Sequence, residues 1–105
     1  MASEGYHEPV SELSEDVRNV SRALKSAMEE LAAIDWYHQR VQTTHDEELK
    51  HVLEHNRDEE IEHAVMVLEC LRRMLPQFNE PMNRFLFKEG DLVAIEKSEE
   101  YREAA

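Results

Sequence analysis

From Val10 to Val41 the chain steps through Val10, Leu13, Val17, Val20, Leu24, Ala27, Leu31, Ile34, His38 and Val41 in an unbroken alternation of threes and fours. That period gathers all of these positions on one side of a helix, whereas a strand would need apolar residues at every second position. Pro9 suits the first helical turn, where a missing backbone N–H costs nothing. So regular a seam predicts one long helix that must bury its stripe against another element. Only two glycines and three prolines in 105 residues agree with an almost wholly helical chain.

A second helix is expected after the seam fades near Thr43. Thr44-His45-Asp46-Glu47 fits a capping box, in which the Thr44 hydroxyl and the Glu47 carboxylate satisfy free N–H groups. Asp46, Glu47 and Glu48 set negative charge at the positive end of the helix dipole. The inner stripe reads Leu49, Val52, Asn56, Glu60, His63, Val67, Cys70 and Met74, and Pro76 ends the helix. Two helices of about 30 residues, roughly 45 Å long at ~1.5 Å per residue, then form an antiparallel hairpin. N-E-P-M-N-R-F-L-F reads as a short third helix capped near Asn79 and stopping around Gly90. The expected organisation is all-α: an arm over residues 1–8, the hairpin with its short third helix over 9–90, and a tail over 91–105 with a small apolar patch (Leu92, Val93, Ile95) and a frayed charged end. A single hairpin cannot cover its own apolar faces, so self-association is expected.

The net charge of −12 leaves no basic footprint for DNA or RNA, so nucleic-acid partners are set aside. An acidic surface attracts cations. No apolar run approaches membrane-spanning length and none resembles a signal peptide, so a cytoplasmic location is expected, with no membrane partner. The single cysteine, Cys70, excludes an internal disulfide framework and reads as a core thiol.

Glu60 and His63 interrupt the apolar stripe of the second helix. They lie about 60° apart at ~100° per residue, so both point into the interface. An unpaired buried carboxylate is costly, and neighbouring Arg57 falls on a different face. With the turn centred near His45, Glu30 lies level with Glu60 across the hairpin, bordering the stripe between Ala27 and Ile34. Ala23, Ala27 and Ala64 leave space around these groups. The pattern leaves two readings open: a buried polar pair, or a metal site in which a cation neutralises the carboxylates and takes the imidazole lone pair. Di-iron carboxylate bundles use one Glu from each of two helices and Glu-x-x-His from each of the other two. This chain holds half that set, and a two-fold pair of hairpins would complete it as a four-helix bundle.

M-E-E-L-A-A-I-D-W-Y-H-Q-R (28–40), H-N-R-D-E-E-I-E-H-A (55–64) and F-L-F-K-E-G (85–90) resemble the encapsulated ferritins, short members of the ferritin-like superfamily. The resemblance covers most of residues 7–96. It implies a ferritin-like four-helix bundle made by dimerisation, and assembly into a ring of ten chains. It implies a ferroxidase that oxidises Fe(II) with O2 at a di-iron centre shared between two subunits, and iron deposition inside an encapsulin nanocompartment. Carried over by motif, the iron ligands are Glu30, Glu60 and His63 from each of two chains, with Trp36 and Tyr37 as interface aromatics beside them. A secondary cation site at the approach to the centre matches His55, Glu59 and Glu62, with Glu29 a further acidic neighbour. Read from spacing alone, His55, Glu59 and Glu62 share one helix face, which a solvated acidic surface explains equally. The family's shell-docking peptide follows its folded part, and K-S-E-E-Y-R-E-A-A carries no apolar motif of that kind.

Several residues remain outside that pattern. Trp36 sits off the inner stripe and is expected at a second subunit contact. His38, near the turn, reads as a structural histidine, with His45 or His51 as neighbours. His51 and His55, four apart, form a pair able to hold Zn2+. A rival function is a non-enzymatic helical oligomer that binds divalent metal as a buffer or sensor, and a plain interaction module is another. Ca, Mn or Zn are accepted in place of Fe by donors of these types.

Overall fold

The computed structural model describes residues 5–104, with side chains described for residues 5–98. The arm expected over residues 1–8 therefore lies partly outside the described residues. Among them the chain is all-helical: α1 (Glu15–Thr43), α2 (Glu47–Met74), α3 (Asn79–Phe85) and α4 (Leu92–Ala104), with 3-10 turns at Val10–Glu12 and Pro76–Phe78. The chain divides into two compact units at the boundary between Met74 and Leu75.

In the first unit, α1 and α2 pack as the expected antiparallel hairpin. Its ends differ from the sequence reading in ways local chemistry explains. The long helix does not begin at Pro9. A 3-10 turn over Val10–Glu12 gives way to extended Leu13, and Ser14 then caps α1, its hydroxyl accepting from Val17 N at 3.2 Å. A side-chain oxygen offered to a free N–H at Ser14 prevails over the continued apolar period. The cap of α2 is also displaced. Asp46 Oδ1 accepts from Leu49 N at 2.8 Å, whereas the Thr44 hydroxyl donates back to Arg40 O at 2.6 Å and so closes the end of α1. Asp46 caps better because its carboxylate also faces the helix dipole.

Among the described residues, Ala27, Ala64 and Leu71 are the buried apolar ones. The α2 seam runs through Leu53, Arg57, Glu60, Ala64 and Leu71, none of them exposed. The stripe expected for α2 is thus corrected: Glu60, Val67 and Met74 are half-buried, but Leu49, Val52, His63 and Cys70 are exposed, and Cys70 is not a core thiol. On α1, Val20, Ala27, Ile34 and Val41 line the seam, while Val17, Leu24 and Leu31 stay exposed. The cause is apolar excess. Both helices carry more apolar surface than one partner covers, and periodicity does not say which part of it meets the other helix.

At ~100° per residue the uncovered residues fall on two flanks of the hairpin. Leu24, Met28 and Leu31 of α1 share one flank with Ile61 and Val65 of α2, all at least 39% exposed. Glu30 and His63 share the other with Leu49, Val52 and Cys70. Trp36 points away from the seam and is 57% exposed, as its position on the wheel predicts.

In the second unit, α3 ends at Phe85, short of the expected stop near Gly90. Phe87, fully exposed, adopts φ 57° and Gly90 φ 103°, so the chain turns through left-handed backbone twice. The sequence reading placed no helix over 92–104. One forms there, and Asp91 Oδ2 caps it by accepting from Ala94 N at 3.0 Å.

Candidate metal centre

The pairing of α1 with α2 sets the register. The small side chains of Ala27 and Ala64, both buried, let the helices approach closely. Glu30 lies one turn beyond Ala27, and Glu60 lies one turn before Ala64. The two carboxylates therefore meet across the seam, and His63 joins them from the next turn of α2. One ligand atom from each of Glu30, Glu60 and His63 lies within 4.8 Å of the others, the only such group among the described residues. His63 Nδ1 is 3.9 Å from Glu30 Oε2 and 3.8 Å from Glu60 Oε2. The ligands are open to one side: the Glu30 and Glu60 side chains are 25% and 26% exposed, and that of His63 is 48% exposed.

The electrostatics of this group are those of two acids forced together. Sharing a hydrogen bond with Glu60 raises the Glu30 carboxyl above its ordinary value, and partial desolvation and the Glu60 charge push the same way. His63 opposes the rise, and Glu29 adds to it weakly. A proton between the carboxylates relieves their repulsion, and a cation would do so more completely.

The remaining sequence-derived positions separate. His55 Nε2 lies 3.6 Å from Glu59 Oε1, and Glu59 Oε2 lies 3.8 Å from His63 Nε2, so Glu59 faces the cluster as well as His55. Glu62 and Glu29 are exposed and stand outside the three-residue group. Tyr37 is half-buried beneath the Arg40 guanidinium, 5.5 Å from its ring centroid, and follows Glu30 by two helical turns, about 10 Å along α1. Trp36 lines an open depression of about 360 Å³ with Gln39, Arg40 and Thr43. His51 and His55 line another, of about 320 Å³, with Val52, Glu54 and Asp58.

Sequence reasoning misplaced Arg57 and with it the partner of His38. Arg57 belongs to the seam, and its Nη1 reaches across to His38 Nδ1 at 3.3 Å while its Nε pairs with Asp58 at 3.1 Å. His38 is thus a structural histidine, but its partner is neither His45 nor His51. The signal was available in spacing from Ala64: Arg57 lies seven residues before it, on the same stripe.

A two-helix hairpin with paired carboxylates and a histidine opening to one side places the chain among ferritin-like helical proteins. The sequence profile of the EncFtn-like family matches residues 5–89, and the chain belongs to that family. It is 53% identical over 92 residues to a ferritin-like protein of Thermotoga maritima, covering 88% of this chain and 81% of that one. It is 49% identical over 98 residues to an encapsulated ferritin-like protein of Rhodospirillum rubrum, covering 93% of this chain and 70% of that one. The fold is similar to the crystal structure of protein ne0167 from Nitrosomonas europaea, with a TM-score of 0.80, 48% identity, and coverage of 85% and 98% of the two chains. Among the described residues no helix is long and apolar enough to cross a membrane.

Proposed function

We propose that the protein is a ferroxidase whose centre is completed when a second copy docks on the flank carrying Glu30, Glu60 and His63. The observation that carries this reading is the convergence of two carboxylates and one imidazole to within 4.8 Å, open on one side. Oxygen and nitrogen donors of this kind fit first-row divalent ions, and carboxylate charge favours Fe(III) over Fe(II). Fe(II) is the substrate. Glu30, Glu60 and His63 of each of two chains would hold the iron pair, the carboxylates supplying negative charge and the imidazole a nitrogen donor. Two Fe(II) would give two electrons to one O2, which with two protons from water becomes H2O2, and the two Fe(III) would leave for mineral growth.

The two uncovered apolar flanks support self-association through two different surfaces, which is what a ring of ten chains requires. Tyr37, about 10 Å along α1 from Glu30, and Trp36, exposed on the face away from the seam, are the aromatics this reading assigns to subunit contacts. His55, Glu59 and Glu62, with Glu29 nearby, gather incoming Fe(II) from the acidic surface. The name of the Rhodospirillum rubrum relative, an encapsulated ferritin-like protein, supports an encapsulin shell as partner and a cytoplasmic nanocompartment as location.

The test is to mix anaerobic Fe(II) with the protein, admit air, and follow the ferric absorbance. Oxidation should be faster than in buffer and should fall to the buffer rate in Glu30→Ala and Glu60→Ala. Metal bound without accelerated oxidation would instead make the protein a buffer or sensor.

A further inference from the structure

Phe87 stands against two expectations at once. Its backbone is left-handed, at φ 57°, a region that strains a residue with a bulky side chain and is ordinarily left to Gly or Asn. Its ring is 102% exposed, so no packing within its own chain offsets that strain. Strained residues held on a surface mark places where the chain meets something else. Two residues earlier, Phe85 lines an apolar cleft of about 270 Å³ together with Leu92, Val93 and Glu96. The cleft has room for one aromatic ring, and Leu92 and Val93 are 58% and 56% exposed, so Phe87 does not fill it. A knob and a hole thus lie within one short segment, and neither satisfies the other.

We propose that Phe87 anchors a contact between two copies of this chain, the ring of each seated in the Phe85, Leu92 and Val93 cleft of the other. A two-fold axis makes both insertions at once, because the same segment supplies knob and hole. The charges fit a second copy as well. Lys88 follows the knob and Glu96 lines the hole, so each insertion sets a cation beside a carboxylate. That pairing counters the repulsion between two chains of net charge −12. Area sets the contact's place in an assembly. Two phenyl rings bury ~150–250 Å² each. With the cleft walls they cover, they fall short of the ~1,200 Å² at which stable interfaces begin. The exchange therefore adds to association through the apolar hairpin flanks and does not replace it.

The contact is tested in the full chain with p-benzoylphenylalanine in place of Phe87. Equal amounts of 15N-labelled and unlabelled chain are mixed with anaerobic Fe(II) and irradiated, and the crosslinked peptides are mapped by mass. Mixed-isotope peptides joining position 87 to residues 92–96 are expected. Crosslinks confined to single chains, or reaching other segments, would overturn the proposal. By sedimentation under the same conditions, Phe87→Ala should associate at least about tenfold more weakly, the usual loss for a buried aromatic anchor. Its melting in chelator should match the parent's, since the ring packs on nothing in its own chain. Lys88→Glu and Glu96→Lys should each weaken association, and an equimolar mixture of the two should restore it, because opposite charges then meet at both insertions. Undiminished association of Phe87→Ala would overturn the second copy as occupant and assign the ring to a different partner. A lower melting point in Phe87→Ala would show that the ring packs within its own chain, which overturns the proposal equally.

Discussion

Replacing Ala64 by Leu tests whether close approach of the two helices builds the centre. Ala64 is only 4% exposed and sits one turn from Glu60 and next to His63. Helices that pack through small residues lie near the short end of the ~8–10 Å range of interaxial distances, and a leucine there must push them apart or leave its rotamer well. Overpacking of this kind typically costs about 1–3 kcal/mol. For a chain of this size, about 2 kcal/mol lowers the thermal midpoint by roughly 10 °C. The same splaying would separate Glu30 from Glu60. We therefore expect Ala64→Leu to unfold at lower temperature by circular dichroism in chelator and to bind Zn2+ more weakly than the parent. Met66→Leu, at a position 64% exposed and about 160° from the seam, is the control and should change stability by no more than ~0.5 kcal/mol. Parent-like stability and Zn2+ affinity in Ala64→Leu would refute the argument, because the helix spacing would then not depend on that layer.

Two further predictions address the frame around the site. Asp46→Ala should cost about 1 kcal/mol through loss of the α2 cap, whereas Thr44→Ala should leave α2 capped; denaturant titration distinguishes them. Glu69 is pulled down from its ordinary 4.5 to about 2, first by its hydrogen bonds to Arg72 and then by that to Arg73. A carboxylate lowered on folding stabilises above its ordinary value and loses that contribution as pH falls towards 2. Glu69→Gln should thus be less stable than the parent near neutral pH, by an amount limited by solvent screening, and the gap should close on acidification. A gap that persists below pH 2 would show that the carboxylate charge is not the cause.

The parts of this molecule legible in its sequence are those where one face of a helix carries one message. The hairpin followed from spacing, and the convergence of Glu30, Glu60 and His63 followed from the register that a turn near His45 imposes. The cap of α2 did not, because Thr44 and Asp46 both carry capping chemistry, and spacing does not say that the Thr44 hydroxyl is spent on closing α1. Nor did the α2 stripe, since Leu49, Val52 and Cys70 repeat at helical spacing on a flank that α1 never covers. Arg57 was misread for the same reason: a seam judged from Val67 excludes it, and a seam judged from Ala64 and Leu71 includes it. Helix α4 was missed because its charged sequence has no apolar stripe, so its one clear signal was the cap at Asp91. Glu59 shows the limit most plainly, as spacing assigns it to a face and cannot say that its two oxygens lie nearest different histidines.

The central claim is that each chain holds half of a centre and a second copy supplies the rest. Sedimentation of the protein under anaerobic conditions, with Fe(II) titrated from none to excess, tests it directly. The account predicts that Fe(II) shifts the population from monomer to dimer and larger assemblies of even chain number, because binding energy at a shared site is linked to association. Glu30→Ala should abolish that shift. Fe(II) bound tightly by a chain that remains monomeric at every concentration would contradict the account.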